Sequence, residues 1–424
     1  MPPSTAASTR LDFEASAADW EIAPGHSVAG YAFNGQVPGP TIHARAGEEL
    51  VIRLKNGLPE ATVIHWHGLR VPAEMDGTDL VQRPVEPGET FEYRFTPPDA
   101  GTYWYHSHAN ETRQMERGLY GALIVHGENE PQLDAERVLV LDDLTLNKGG
   151  QIARFGGFEQ RHDGRQGDAL LINGRTDTVL DMAAGHVERW RVVNAASARY
   201  VRLSIGGAQF QVIGTDGGLL PVAQDATEVL LTPGERVDLA VGPFAEGESP
   251  AIESLPYVRG AGWPGKEDAA RFGAVRVGPA APSSARMPFP LRLIEPLVKG
   301  PVVPNRRVVL SSKLNTRRGV DFTIDGERNH MAEPVKVGEL QVWDVVNETH
   351  MEHPFHLHGF FFQVLSDGGA EPEMLAWKDT VNVRGESTVR IAWMPDDRPG
   401  RWMYHCHILE HHAAGMMATF DVVR

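Results

Sequence analysis

The stretch GEELVIRLKN at residues 47–56 returns twice along the chain, as GHVERWRVVN at 185–194 and as GELQVWDVVN at 338–347. Each copy runs from a glycine to an asparagine: Gly47 to Asn56, Gly185 to Asn194 and Gly338 to Asn347. Between them apolar and polar side chains alternate, as in Leu50, Ile52 and Leu54, in the run from Val187 to Val193 and in that from Leu340 to Val346. A period of two puts successive side chains on opposite faces, the pattern of a strand with one buried face. The pairs Asn34-Gly35, Asn173-Gly174 and Asp325-Gly326 precede the three copies and favour tight hairpin turns. A second shared element follows: Pro87-Gly88-Glu89, Pro233-Gly234-Glu235 and Arg384-Gly385-Glu386 each open another alternating run, such as Phe91-Tyr93-Phe95 or Val389-Ile391-Trp393. Many short strands with Gly/Pro turns and almost no helical periodicity predict an all-β chain of β-sandwiches, and the self-similarity predicts three of them in succession. The expected units are 1–130, 131–280 and 281–424. The Pro- and Ala-rich stretch from Pro279 to Pro290 reads as the second connection, and Asn147 to Asp168, rich in glycine and charge, as a mobile excursion.

At 424 residues, with 42% hydrophobic side chains, 44 glycines and 30 prolines, the chain is long enough for several separate cores. A formal net charge of -16 argues against a nucleic-acid groove as its main business. No apolar run reaches the roughly 18 residues of a spanning helix, so no membrane span is expected. The start, Met1 to Leu11, is polar, and no signal peptide is visible in it.

The chain has 18 histidines and one cysteine, Cys406. Four short clusters stand out: His65-Trp66-His67-Gly68, His106-Ser107-His108, His353-Pro354-Phe355-His356-Leu357-His358-Gly359 and His405-Cys406-His407-Ile408-Leu409-Glu410-His411. Two of them occupy matching places in the repeat. Nine and eleven residues past the asparagine, the first copy has His65 and His67, the third has His356 and His358, and the middle has Leu203 and Ile205. One scaffold position is thus a ligand pair at both ends of the chain and a packing pair in the middle, which marks the middle unit as a structural spacer. Gly101 and Gly400 each stand five residues before a clustered histidine, His106 and His405, a second match between the outer units.

On a strand, residues i and i+2 face the same way, so each His-x-His presents two imidazoles together. Four such pairs give eight imidazoles, too many for one ion and suited to three with a position open for a small molecule. Imidazole alone suits copper, iron, zinc and nickel. Cys406 is more selective. A lone cysteine is ordinarily a small buried hydrophobe, but this one must point away from His405 and His407, with a thiolate on one face of the strand and two imidazoles on the other. With His353 and His411 it makes a His2Cys set, and Met416 offers a weak axial thioether, which is the electron-transfer copper pattern. Zinc needs neither that set nor a bridge between two centres. Trp66, Trp104 and Trp402 read as packing around the sites, and His26, His43, His126, His162, His186, His330 and His350 as non-ligands.

These motifs together resemble the multicopper oxidases, specifically three-domain laccases and their bacterial spore-coat and copper-efflux relatives, over nearly the whole chain. The resemblance implies three consecutive cupredoxin-like Greek-key β-sandwich domains and four copper ions. By that likeness His353, Cys406 and His411 bind the type 1 copper with Met416 axial, and His65 and His356 hold the type 2 copper. One type 3 copper takes His67, His106 and His407, and the other His108, His358 and His405. The cluster of three falls between the first and third domains. Asp76, in Met75-Asp76-Gly77, matches a carboxylate that the family places near that cluster for proton delivery. Many bacterial relatives carry a second relay carboxylate directly after the last type 1 histidine, but here the position is His412, which leaves His412, Glu410 or water as the second route.

The implied activity is that of a laccase: four one-electron oxidations of phenols or aromatic amines, approaching the solvent side of His411 and His353, coupled to reduction of dioxygen to two waters. Oxidation of cuprous or similar metal ions, in copper tolerance, is the competing specificity. Relatives of that kind often carry a methionine-rich insertion, whereas the 12 methionines here are scattered and only Met416-Met417 are adjacent. A two-domain copper nitrite reductase would need no counterpart of His106 and His108, and a non-enzymatic copper carrier would leave eight histidines without a role. Three-domain members are usually monomers that work outside the cytoplasm, so a monomer with a periplasmic or extracellular location is expected; a cytoplasmic one stays open.

Overall fold

The computed structural model describes residues 8–260, 269–315 and 319–424, so the polar start of the chain lies outside the described residues up to residue 7. Each copy of the repeat becomes the same strand in its own two-sheet sandwich. Glu49–Asn56 runs parallel to Ser8–Ala23 and antiparallel to Thr90–Phe95. Glu188–Asn194 does the same between Ala135–Leu144 and Arg236–Val241, and Gln341–Asn347 between Arg306–Asn315 and Thr388–Trp393. A parallel neighbour cannot be reached by a hairpin, so the chain crosses to the other sheet and returns, as in Greek-key sandwiches. The expected all-β architecture of three sandwiches is therefore present.

The residues that mark the repeat do the same work three times. Asn34, Asn173 and Asp325 sit at φ of 52°, 51° and 52°, the left-handed conformation that tight hairpin turns require. Their side-chain oxygens accept from the backbone N–H of Glu14, Val140 and Val309, which ties each turn to the opening strand of its unit. The repeat asparagines are buried and act as staples. Asn56 donates to the carbonyls of Glu60 and Val85, Asn194 to those of Arg199 and Leu231, and Asn347 to those of Met351 and Val383. Each accepts from the N–H two residues on, at Leu58, Ala196 and Thr349. A buried carboxamide with its donors and acceptor engaged fixes the turn that leads into the next strand.

That next strand is the site-bearing one in the outer units: Ile64–His67 in the first and His353–Leu357 in the third. Its middle counterpart is Val201–Ile205, whose Leu203 and Ile205 pack in the core of the middle sandwich with Trp190, Phe210 and Phe272. The stretch from Asn147 to Asp168, expected to be mobile, is anchored near both ends, with residues 154–158 exposed between them. Gln151 bonds the backbone of Ser27 and Ala29, a short helix forms at Phe158–Asp163, and Arg165 is buried against Glu410. Of its charges, Arg165 finds the buried carboxylates Glu116 and Glu410, while Lys148, Arg154 and Arg161 stay exposed. Among the described residues no helix is long and apolar enough to cross a membrane.

Candidate metal centre

Two strand pairs, one in each outer sandwich, carry the histidines inward. Ile64–His67 lies antiparallel to Gly101–Ser107 with His65 opposite His106. His353–Leu357 lies antiparallel to Gly400–Cys406 with His356 opposite His405 and Phe355 opposite Cys406. The two pairs meet face to face. His65 stacks on His358 with ring centroids 3.9 Å apart, and His67 on His356 at 3.8 Å. Around them, His67, His106 and His407 lie 4.9 to 5.8 Å from one another, and His108, His358 and His405 lie 5.1 to 5.6 Å apart. All eight rings are buried.

The nitrogens of these rings divide by direction. His65 Nδ1 donates to the Asp76 carbonyl at 2.8 Å, His356 Nδ1 to the Asp379 carbonyl at 3.0 Å, His106 Nδ1 to the Ser107 carbonyl at 3.0 Å and His405 Nδ1 to the Cys406 carbonyl at 2.9 Å. His67 Nε2 reaches the Asp379 carboxylate at 3.2 Å. Nε2 of His65, His106 and His356, Nδ1 of His67 and both nitrogens of His407 make no hydrogen bond, while Nε2 of His358 and Nε2 of His405 meet at 3.0 Å. Buried polar atoms without partners are costly, and several whose rings converge on one volume are what a bound cation relieves. Outward hydrogen bonds that fix the tautomer and leave the inner lone pair free are the usual support of a metal-binding histidine. Burial holds His65, His67, His358, His405 and His407 well below the ordinary imidazole range, His106 at about 4 and His108 at about 3. These rings are neutral near pH 7, the form that ligates metal.

Cys406 belongs to a second group, on the other face of the same strand. Its Sγ lies 3.5 Å from His353 Nδ1 and 3.6 Å from His411 Nδ1, which are 3.1 Å from each other. A point equidistant from the three atoms is about 2 Å from each, a metal–ligand length. Met416 is buried beside them, with its N–H donating to the His411 carbonyl at 3.0 Å and its carbonyl accepting from Cys406 at 3.1 Å. Burial raises the Cys406 thiol far above its ordinary range, so a cation must displace the proton when it binds.

The solvent-facing edge expected on His411 and His353 is absent. Both rings are fully buried. Phe322 stacks on His411 at 3.9 Å, the His162 carbonyl accepts from His411 Nε2 at 2.8 Å, and Thr349 Oγ1 caps His353 Nε2 at 2.8 Å. Phe322 and Thr349 belong to the third sandwich, while the His162 carbonyl comes from the segment that the sequence suggested was free: Arg165 holds it to Glu410 at 2.8 Å, and Arg259 holds the Asp163 carbonyl at 2.6 Å. His162 enters through its backbone and not its ring.

Of the candidate proton carriers, Asp76 lies under the cluster with Oδ2 2.9 Å from His358 Nδ1, and burial pushes its carboxyl up to about 8 against the pull of Arg398. His412 stacks on His405 at 4.4 Å and shares a 2.6 Å hydrogen bond with Glu111. Burial alone would lower His412, but the Glu111 carboxylate holds it above the ordinary value. Glu410 faces Arg165 instead. Sequence reasoning missed Glu111, whose Oε1 is 3.0 Å from His108 Nε2, and also Asp379, Thr380 and Arg236. Glu111 follows His108 by three residues, a spacing that could have drawn attention; nothing local marks Asp379, whose contact with His67 spans 312 positions.

A family profile described as multicopper oxidase matches residues 14–130, and two more of the same description match 136–245 and 302–424. Multicopper oxidase MmcO of Mycobacterium tuberculosis is 32% identical, over 94% of this chain and 84% of that protein. The laccase of Bacillus subtilis is 28% identical, over 92% of this chain and 90% of that protein. A solved multicopper oxidase from Campylobacter jejuni, described as a metallo-oxidase, matches with a TM-score of 0.87 and 31% identity, covering 98% of this chain and 92% of that one. The histidine and cysteine groups suit copper sites of that family. The likeness holds in each of the three cupredoxin-like sandwiches, and the chain belongs to the multicopper oxidases, enzymes in which bound copper carries electrons to dioxygen.

Proposed function

We propose that this enzyme is a laccase-type oxidase, coupling four one-electron oxidations of phenolic or aromatic-amine donors to the reduction of dioxygen to two waters. The observation that carries the reading is the strand ending at Cys406, whose thiol faces His353 and His411 while its neighbours His405 and His407 face the eight-histidine cluster. In this reading four copper ions are bound. His353, Cys406, His411 and Met416 would hold the type 1 ion; His65 and His356 would hold the type 2 ion; His67, His106 and His407, and His108, His358 and His405, would hold the type 3 pair. Units 1–130 and 281–424 supply the ligands, and 131–280 supplies none. Copper bound there supplies the one-electron exchange with donor and dioxygen.

The side chains around the two groups move protons and exclude water. Asp76, lifted to about 8 by burial, holds a proton near pH 7 within 2.9 Å of His358. His412 and Glu111 share a second proton across their 2.6 Å bond, next to His405 and His108. That pair is favoured over Glu410, whose Oε1 is engaged by Arg165. With both imidazoles covered, an electron would reach His411 through the groups that pack on it, the His162 carbonyl that accepts from its Nε2 and the Phe322 ring stacked on it.

The same cover favours a second reading, a metal-ion oxidase of copper tolerance. An aromatic donor finds no bare imidazole edge to touch, and the Campylobacter jejuni relative is described as a metallo-oxidase. The test is kcat/KM for a substituted phenol and for cuprous ion on one copper-loaded sample, with oxygen uptake and copper per chain measured together. Four coppers per chain, one dioxygen consumed per four phenols oxidised and a preference for the phenol are expected. A strong preference for the ion transfers the conclusion to the second reading.

A further inference from the structure

The middle sandwich contributes no histidine to the cluster, yet it reaches it. Pro233-Gly234-Glu235 is the middle copy of the second repeat element, and it lies directly against His407. A Cβ on Gly234 would stand 2.9 Å from that ring, so only glycine lets the turn approach so closely. The strand that follows begins with Arg236, fully buried, whose guanidinium has five N–H groups and finds five acceptors. Nε donates to the Thr102 carbonyl at 3.0 Å. Nη1 donates to the Gly234 carbonyl at 3.0 Å and to Asp379 Oδ1 at 2.8 Å, and Nη2 to the Asp216 carbonyl at 3.1 Å and to Asp379 Oδ2 at 2.5 Å. One side chain thereby joins the first sandwich at Thr102, the middle at Gly234 and Asp216, and the third at Asp379.

Asp379 passes that constraint to the histidines. Its Oδ1, held by Arg236 and by the Thr380 hydroxyl at 2.9 Å, faces His67 Nε2 at 3.2 Å. Its carbonyl accepts from His356 Nδ1 at 3.0 Å. His67 comes from the first sandwich and His356 from the third, they stack on each other at 3.8 Å, and the nitrogen each turns inward is without a partner. Gly68, directly after His67, makes room for the pair: a Cβ there would lie 2.3 Å from Arg236 Nη2 and 2.5 Å from Asp379 Oδ2.

We propose that Arg236 is a positioning residue for the copper cluster: clamping Asp379 in a two-point fork, it fixes the tautomer and ring orientation of His67 and His356, so the middle sandwich sets the geometry of a site to which it gives no ligand. The proposal rests on the copper assignment above. Arginine matters here for its planar fork, which a lysine of the same charge cannot reproduce. Removing an outer hydrogen-bond partner of a metal ligand typically weakens metal binding by about 10- to 100-fold, and that is the effect expected of Arg236→Lys.

The test uses full-length, copper-loaded protein and reads three quantities in each variant: copper retained against a chelator series, the electron paramagnetic resonance signal of the cluster, and the visible absorption of the Cys406 site. Lys378→Met is the control. Lys378 bonds Asp216 and Glu235 at 2.9 Å across the same junction of middle and third sandwiches without touching His67 or His356. Arg236→Lys is expected to lose cluster copper at 10- to 100-fold weaker chelation and to change the resonance signal, with the visible band intact, while Lys378→Met changes neither. If Arg236→Lys does not fold, Asp379→Asn is held to the same outcome. Equal copper loss in both variants, in step with falling Tm, overturns the proposal in favour of simple junction stability; so does an unchanged cluster in Arg236→Lys. Failure of the copper reading itself is separate: the unsubstituted protein would then bind fewer than four coppers.

Discussion

The two ligand groups are built on opposite plans. At Cys406 the three converging atoms come from one sandwich, from His353, Cys406 and His411, and they already form a compact triangle. The eight-histidine cluster is divided evenly, His65, His67, His106 and His108 from the first sandwich and the other four from the third, with stacked rings pressed across the boundary. The first group draws all three of its converging atoms from one domain, with the His162 carbonyl of the middle unit closing over His411, and the second needs rings from two domains. Local assembly gives a site that tolerates disturbance elsewhere. Assembly across a boundary lets a small molecule sit between two walls, but it ties the site to every contact that holds the walls together.

The sharpest way to separate the two groups is to remove the one atom that belongs to the first alone. Cys406→Ser preserves the strand and its register with His353–Leu357 and deletes the thiolate on which an electron-transfer copper depends. If the proposed four-copper reading holds, the intense visible absorption and donor oxidation are expected to vanish, copper is expected to fall from four per chain to three, and the resonance signal of the cluster is expected to persist. Cluster copper lost together with the visible band would break the comparison, since the two groups would then not be separable.

A second, smaller effect concerns the metal-free chain. His106 and His108 at the domain boundary have folded pKa values of about 4 and about 3, and His353 of about 3, all depressed by burial. The unfolded value is about 6.5. Stability from these rings is therefore present above pH 6.5 and is lost as pH falls toward 3, with a slope of up to about 1.4 kcal/mol per pH unit for each ring. Asp76 acts in the opposite sense: with its folded value raised to about 8, its contribution is complete below about pH 4 and is lost as pH rises through 8. Histidines outnumber it, so calorimetry on metal-free protein should show Tm dropping steeply below pH 6.5, and less so in copper-loaded protein, where metal binding opposes protonation. A Tm independent of pH between 4 and 7 in the metal-free chain would contradict the burial of these rings.

The fold and both ligand groups were legible because their signals are local. Strand alternation, the Asn-Gly turns and the pairs at His65 and His67 or His356 and His358 are read within a dozen residues, and the opposed faces of Cys406 and its neighbours follow from strand geometry alone. What was missed is non-local. Arg236 touches Asp379 across 143 positions, and His412 touches Glu111 across 301. The cover over His411 was misread for a related reason: the composition of 147–168 indicates solvent only if its charges have no partners, and Glu410, the partner of Arg165, lies 245 positions away. A single sequence shows which residues can ligate, and much less well which residues will orient them.

The smallest expected effect tests how far the repeat itself was adapted to the Cys406 site. Two residues past the repeat asparagine, the first copy has Leu58, the middle Ala196 and the third Thr349. All three offer their N–H to the asparagine oxygen, but Thr349 also places its hydroxyl 2.8 Å from Asn347 Oδ1 and 2.8 Å from His353 Nε2. With its proton directed to Asn347, the hydroxyl accepts from His353 and turns Nδ1 toward Cys406. Thr349→Val keeps the shape and leaves the His353 N–H unsatisfied, at a cost of about 1–3 kcal/mol. A lower Tm, a small change in the reduction potential of the Cys406 copper and an unchanged copper count are expected from calorimetry, redox titration and metal analysis, while Ala196→Thr in the middle unit leaves the potential where it was. Loss of the Cys406 copper in Thr349→Val would mean that this site, too, hangs on a single outer contact, and the contrast between a locally formed site and a boundary-formed one would shrink to a difference of degree.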